Sequence, residues 1–264
     1  MARTMAAVCA SIQGVWTRLS GTAENLSASE RMGLPGHCRL CRAWGIGAWC
    51  AACDARFRSA EHRCVRCALV LPANDPAAPA PRVCGPCLRR PPPWSVAVCA
   101  EDYAFPWDRL IADLKFHDQP EVAQPLAERL AQAVRDALET SDAAPPELLV
   151  PVPLSARRLR ERGYNQAWEL ARRLGADLGI GADAQLLLRP VDTAHQATLP
   201  RAERERNLRG AFMVDPARRS AVAGRRIALV DDVMTTGATL REAAVELLRA
   251  GAAEVQAWAF ARTP

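Results

Sequence analysis

Two patterns of side chains in this sequence are equipped for chemistry. The first is an apolar run, Ile227-Ala228-Leu229-Val230, ending in paired carboxylates, Asp231-Asp232. It continues through Val233-Met234 into a hydroxyl-rich turn, Thr235-Thr236-Gly237-Ala238-Thr239. Backbone N–H groups at the start of a helix lack partners and lie at the positive end of its dipole. A turn of this kind opening a helix therefore holds a phosphate group, and threonine hydroxyls add donors. Gly237 lets the backbone come close to a ligand. Two adjacent carboxylates at the carboxyl end of a strand accept from ribose hydroxyls and can bind Mg²⁺ directly or through water. The competing reading is a plain strand-to-helix turn in which the acids merely cap the chain. It does not account for apolar strand, paired acids and Thr-Thr-Gly loop occurring together in that order.

The second pattern is four serial pairs, Cys38-x-x-Cys41, Cys50-x-x-Cys53, Cys64-x-x-Cys67 and Cys84-x-x-Cys87. Tight pairs of thiolates chelate tetrahedral Zn²⁺. With so few apolar residues between them, this segment needs a metal to hold it together. Disulfides are the competing use of the thiols, but nothing marks the chain for secretion, and cytosolic thiols stay reduced. Redox activity fits less well, because a thioredoxin-type pair belongs beside a βαβ unit and these pairs are serial. Sequential pairing makes two sites, one from Cys38, Cys41, Cys50 and Cys53, the other from Cys64, Cys67, Cys84 and Cys87. An interleaved arrangement uses the same ligands. Cys9 and Cys99 fall outside the pattern.

The elements that position these groups follow from periodicity. Ser95 to Tyr103 has the pattern of a strand, and Trp107 to His117 has helical spacing through Leu110, Ile111 and Leu114. A helix from about Glu121 to Leu138 carries Val122, Leu126, Leu130, Val134 and Leu138 on one stripe. Leu148 to Val152 suits a buried strand, Asn165 to Leu178 an amphipathic helix closed by Gly179, and Ala184 to Leu188 another strand. The run before the acids is a further strand, Leu240 to Arg249 a helix, and Glu254 to Ala261 a last strand. Strands alternating with helices of this length predict an α/β fold with a doubly wound, mostly parallel sheet behind a small N-terminal cysteine zinc module. The expected organisation is an extension over 1–33, the zinc module over 34–90, a strand-and-helix segment over 94–146 and the core over 147–264. Pro91-Pro92-Pro93 marks the end of the cysteine module, and Ala73 to Pro81 reads as an irregular loop within it.

Composition narrows the classes further. The 264 residues suffice for one α/β domain and a satellite; 24% are charged, 50% are hydrophobic, and no apolar run approaches a membrane span. The expected protein is soluble and cytoplasmic. A net charge of +5 permits contact with phosphate or nucleic acid without requiring it. Arg157, Arg158, Arg160 and Arg162 crowd one segment, and Arg201, Arg204, Arg206 and Arg209 another. Lys115 is the only lysine among residues otherwise biased to arginine, which singles it out as a candidate functional group.

The diacid strand and its threonine turn resemble the phosphoribosyl-pyrophosphate motif of type I phosphoribosyltransferases. That resemblance implies that Asp231 and Asp232 contact the ribose 2′ and 3′ hydroxyls and hold Mg²⁺, while Thr235 to Thr239 hold the 5′-phosphate. With this ligand in view, the segment from Val150-Pro151-Val152-Pro153-Leu154-Ser155 on through Ala156 to Gln166, with Arg157, Arg158, Arg160 and Arg162, offers backbone donors and cations for pyrophosphate at a strand end, where an arginine run by itself reads as a solvated face. The same resemblance implies that the polar stretch from Asp192 to Gly210 is a lid closing over pyrophosphate with Gln196 and with Arg201 or Arg206; a charged surface helix is the plainer reading. His195 has no assigned role.

Taken together, the cysteine pairs, Leu114-Lys115-Phe116, Val150-Pro151-Val152-Pro153-Leu154, Arg162-Gly163-Tyr164-Asn165-Gln166, Arg206-Asn207-Leu208-Arg209-Gly210-Ala211-Phe212 and the diacid loop resemble the ComF (ComF/GntX) family from Cys38 to the end. Phe105-Pro106-Trp107 departs from the Gly-Pro turn more usual there. The resemblance implies a tie to competence and the use of extracellular DNA, handling of single-stranded DNA on the cytoplasmic side, and partners in the competence machinery. Two functions follow. One is phosphoribosyl transfer, with Asp231, Asp232, Lys115, Arg201 and Arg206 as the catalytic set. The other is single-stranded DNA binding, with the phosphoribosyl site a sensor or anchor and Trp44 or Trp49 as stacking platforms. The two tryptophans serve equally well as packing around the zinc sites.

Overall fold

The computed structural model describes residues 35–59, 62–72, 83–190 and 210–264. The chain divides into two compact units, Met1–Arg56 and Phe57–Pro264. The second pair of Cys-x-x-Cys motifs therefore lies in the same unit as the sheet.

In the first unit, β1 (Pro35–His37) pairs antiparallel with β2 (Trp44–Ile46), with Gly36 opposite Gly45. A short helix, α1 (Ala51–Phe57), follows and buries Cys53. The hairpin leaves Trp44 69% exposed and Ile46 62% exposed. Trp44 meets the His37 ring edge-on at 5.2 Å.

The second unit is built on a four-stranded parallel sheet in the order β3 (Ala97–Asp102), β8 (Glu254–Arg262), β7 (Arg226–Met234), β4 (Leu148–Pro151). Alternation along each strand sends one set of residues to each face. On one face Cys99, Val150, Ile227, Leu229, Ala257 and Ala259 join the core formed with Leu240, Ala243, Ala244 and Leu247 of α7 (Ala238–Arg249). A small antiparallel pair, β5 (Leu187–Leu188) and β6 (Met213–Val214), packs on this side through Leu187 and Val214. The strand expected from Ala184 is thus two residues long and outside the main sheet. Leu187 and Val214 complete the layer over α7 instead of extending the sheet.

The other face is covered by α4 (Ala123–Glu139) and α6 (Gln166–Leu178). The stripe on α4 is buried through Val122, Leu126, Leu130 and Val134, as its spacing requires. Helix α3 (Trp107–Phe116) buries Trp107, Leu110, Ile111 and Leu114; Trp107 packs edge-on against Phe260 at 5.7 Å. The Phe105–Pro106 peptide before it is cis. Two further helices end in left-handed glycines, α5 (Ala156–Arg162) at Gly163 with φ +79° and α6 at Gly179 with φ +70°. Helices lie on both faces of a parallel sheet, the doubly wound arrangement that the alternation of elements predicts.

The segment carrying Cys64 and Cys67 is fastened to the β3 end of this sheet. Arg63 pairs with Asp102 at 2.8 Å, and the Asp102 amide donates to Ser59 Oγ at 2.9 Å. The Ala97 amide donates to the Val65 carbonyl at 2.8 Å. Arg66 and Trp94 exchange two bonds, indole to the Arg66 carbonyl at 2.7 Å and guanidinium to the Trp94 carbonyl at 3.1 Å. After it comes α2 (Gly85–Arg89), which buries Cys87.

Candidate functional site

Strand β4 stops at Pro151, which lies opposite Val230 of β7. Strand β7 runs on to Met234, so Asp231 and Asp232 emerge where their neighbour on that side has ended. An open crevice beyond the carboxyl ends of parallel strands is where such sheets bind ligands. Asp231 is half-buried, and Asp232 is 3% exposed. The turn that follows leaves Thr235 and Thr236 exposed and Gly237 buried. Gly237 has φ +74°, and it caps α7 at its N-terminal end. A side chain there would strain the backbone and also press on Trp94, whose ring lies 3.3 Å from the position of a Cβ. The Ala238 amide donates to Thr236 Oγ1 at 3.3 Å. The turn thus presents hydroxyls and helix-start amides together, the arrangement expected of a phosphate cradle.

The lone lysine comes to the acids. Lys115 Nζ sits 2.6 Å from Asp232 Oδ2, with side chains 20% and 5% exposed. Burial opposes charge on Asp232, but Lys115, Asp231 and Arg162 outweigh it and hold this carboxyl below its ordinary value. Asp231 moves the other way. Burial and the adjacent Asp232 charge push it well above the usual carboxylate range, with Lys115 only partly offsetting them. The two neighbouring carboxylates are thus pushed in opposite directions, Asp232 toward its charged form by Lys115 and Asp231 away from it by burial and by Asp232.

Arg162 lies in the segment expected to bind anions, although no particular role there was expected of it, and its charge acts on both carboxylates. The last residue of α5, it bonds Gln166 Oε1 and stacks over Phe116 at 5.3 Å. The Tyr164 hydroxyl donates to the Leu114 carbonyl, and Asn165 Nδ2 donates to the Val152 carbonyl at 3.1 Å. Arg162-Gly163-Tyr164-Asn165-Gln166 is therefore the clasp that holds Leu114-Lys115-Phe116 against the end of β4. The motif was visible in the sequence, but the contact that gives Arg162 its place was not.

Ser155 is buried and caps α5, accepting from the Arg158 amide at 3.4 Å, while Leu154 before it is half-buried. Arg157 is turned to Glu161 at 3.0 Å on the helix surface. Gln196, Arg201 and Arg206 lie outside the described residues.

The cysteines assemble sequentially. Cys38, Cys41, Cys50 and Cys53 bring their sulfurs within 4.8 Å of one another, as do Cys64, Cys67, Cys84 and Cys87, and each set could hold a tetrahedral ion. The interleaved arrangement is not the one adopted. In both sets backbone amides point at the first sulfur, Cys50 to Cys38 and Cys84 to Cys64, each at 3.3 Å. Bonding to Cys67 and to backbone amides outweighs burial and draws the Cys64 thiol down to about 4. Burial opposes the same effect at Cys38, where amide donors bring the thiol to about 6. Other members of the tetrads move the opposite way, Cys53 to about 12 and Cys87 to about 11, chiefly through burial, so each cluster favours one thiolate until a cation balances more. Cys99 is buried in the sheet, and desolvation pushes its thiol up to about 12, which leaves it a packing residue.

Sequence comparison adds an independent line. A phosphoribosyl transferase domain matches residues 162–264, beginning at Arg162 and including the diacid, the threonine turn and Arg262. The chain is 40% identical over 236 residues to DNA utilization protein YhgH of Salmonella typhi, covering 87% of this chain and 98% of that one. It is 39% identical over 179 residues to competence protein F of Haemophilus influenzae, covering 68% and 78%. Among solved structures, the B. subtilis glutamine phosphoribosylpyrophosphate amidotransferase complexed with ADP and GMP matches at 22% identity and a TM-score of 0.36, covering 55% of this chain and 30% of that one. Among the described residues no helix is long and apolar enough to cross a membrane.

Proposed function

This chain belongs to the ComF family of phosphoribosyltransferase-like proteins, and on that premise we propose that it binds phosphoribosyl pyrophosphate with Mg²⁺ at the carboxyl end of β7. The observation that carries this reading is the diacid at the open end of the strand, followed directly by the hydroxyl-and-amide turn into α7. Asp231 and Asp232 accept from the ribose 2′ and 3′ hydroxyls, and Thr235 to Thr239 hold the 5′-phosphate. Two carboxylates at a crevice are oxygen ligands of the kind Mg²⁺ takes, and the ion supplies charge neutralisation for departing pyrophosphate when bound. Lys115 and Arg162 keep positive charge beside the acids, and Ser155, Arg157 and Arg158 follow the neighbouring strand end. The transfer this site is suited to is attack of a nitrogen nucleophile at C1 of the ribose as the bond from C1 to the pyrophosphate oxygen breaks. Arg201, Arg206 and Gln196 complete the pyrophosphate set on this reading.

Calorimetry with phosphoribosyl pyrophosphate, with and without Mg²⁺, tests the site. Asp231→Asn with Asp232→Asn should keep the fold and lose most Mg²⁺-dependent affinity; unchanged affinity would sink the assignment. A screen of purine and pyrimidine acceptors for pyrophosphate release then decides whether transfer occurs.

A second reading concerns DNA, and Trp44 supports it. A tryptophan left 69% exposed on a hairpin beside a cysteine tetrad is available to stack on an unpaired base. On this reading the protein works in the cytoplasm with single-stranded DNA and components of the competence machinery as partners, and the relatives named for DNA utilization and competence support it. Each tetrad holds one structural Zn²⁺ on either reading.

A further inference from the structure

Arg262, the last residue of β8, is 8% exposed and makes no ion pair with a carboxylate among the described residues. A buried guanidinium needs its donors satisfied, and here Nε and Nη1 meet backbone carbonyls from three places. Nε donates to the Cys67 carbonyl at 2.9 Å, within the second cysteine tetrad. Nη1 donates to the Met234 carbonyl at 3.1 Å and also reaches the carbonyls of Thr235 and Thr263. One rigid fork thus ties a tetrad ligand to the two residues that open the threonine turn.

Trp94 makes a parallel tie. Its indole N–H is held by the Arg66 carbonyl, between Cys64 and Cys67, while its ring backs Gly237. Between tetrad and turn lies a cavity of about 510 Å³, with Cys67, Pro86 and Arg90 on one wall and Thr235, Thr236 and Arg241 on the other. The turn is therefore not packed solidly against the tetrad. Arg262 and Trp94 bridge an otherwise open gap, so the position of the turn depends on the position of the tetrad.

We propose that Arg262 is a positioning residue for ribose-phosphate binding, through which a metal-filled Cys64-Cys67-Cys84-Cys87 tetrad sets the geometry of the Thr235–Gly237 turn. The proposal rests on the phosphoribosyl-pyrophosphate reading for its ligand, but the mechanical coupling can be measured without that ligand. A filled tetrad fixes the Cys67 carbonyl, the carbonyl fixes the guanidinium, and the guanidinium fixes the carbonyls of Met234 and Thr235. The amides of the turn then face a phosphate already in register, and less ordering is left for the binding step. Arginine suits this role better than lysine, because its planar fork holds several acceptors at once.

The test uses the full chain and four variants: Arg262→Met, Arg262→Lys, Cys84→Ser in the second tetrad and Cys41→Ser in the first. Zinc content is measured for each, with hydrogen exchange at the turn read from the bonded amides of Ala238, Arg241 and Thr263, which donate to Thr236 Oγ1 and to the carbonyls of Gly237 and Met234, and affinity for phosphoribosyl pyrophosphate with Mg²⁺. Arg262→Met should keep the wild-type zinc content while exchange at the turn quickens at least about tenfold and affinity falls about tenfold or more, by the loss of preorganisation. Arg262→Lys should recover part of both. Cys84→Ser should quicken exchange at the turn to a similar extent, whereas Cys41→Ser should leave it at the wild-type rate. Unchanged exchange at the turn in Cys84→Ser overturns the coupling, including in the case that Arg262→Met does not fold. Equal exchange in Cys41→Ser and Cys84→Ser also overturns it. A wild type that binds no phosphoribosyl pyrophosphate, with the exchange differences intact, removes the ligand assignment and leaves the coupling standing.

Discussion

Replacing Lys115 with Met removes one charge from the site while keeping most of the side-chain volume, and its cost follows from the geometry of the pair. Charges 2.6 Å apart attract by about 6 kcal/mol at an effective dielectric constant of about 20. That figure is an upper bound, since lysine regains hydration when the protein unfolds. Removing one partner of a buried pair typically costs about 3–5 kcal/mol, because the other charge is left buried and uncompensated. Lys115 retains some solvent contact, at 20% of its side chain, so the lower end applies, about 3 kcal/mol. Urea denaturation of the two proteins at neutral pH reads this directly, as a lower midpoint at unchanged slope. Asp232→Asn provides the control. In that background Lys115→Met should cost less than about 1 kcal/mol, a coupling of about 2 kcal/mol or more by double-mutant cycle. A Lys115→Met protein within about 0.5 kcal/mol of wild type, the ordinary range for a surface change, would refute the reasoning. So would a cost that is the same with Asn at position 232.

The same pair sets cation competition: because Lys115 already occupies Asp232, Mg²⁺ alone should raise the melting temperature of Lys115→Met more than that of wild type, measured by a thermal shift titration. Purified protein should contain two zinc ions per chain, with Cys41→Ser and Cys64→Ser each losing one by elemental analysis; metal-free protein carrying disulfides would count against both sites. Glu169 is held below its ordinary value of 4.5, since bonds from Arg172 and Arg173 outweigh burial. It therefore stabilises the fold above that value, and the benefit fades as pH falls through the lowered one. Glu169→Gln should be weaker than wild type by about 1 kcal/mol at pH 7, and the two denaturation curves should converge as pH falls through that lowered value. Trp44→Ala should lower affinity for single-stranded DNA and leave zinc content unchanged; loss of both would make the tryptophan structural.

Local pattern was sufficient for much of this protein. The stripe on α4, the apolar run of β7, the glycine closing α6 and the acid-then-threonine order are all written within a few residues of one another. Periodicity and turn chemistry depend only on such neighbours, so these elements were legible in the chain itself. Sequential pairing of the cysteines was left open by spacing, because either arrangement uses the same thiols; the fold decided it by putting β1 and β2 around one set and the edge of the sheet beside the other. The short fate of Ala184 to Leu188 was also decided by packing, since an apolar run fits either a sheet or the layer above it. The site depended most on tertiary structure. That Lys115 meets Asp232, that Arg162 adds its charge, and that Arg262 reaches the carbonyl of Cys67 across a sequence separation of 195 residues are contacts between distant segments. They arise because parallel strands bring their carboxyl ends to one edge regardless of order along the chain, and no local rule encodes which side chains meet there.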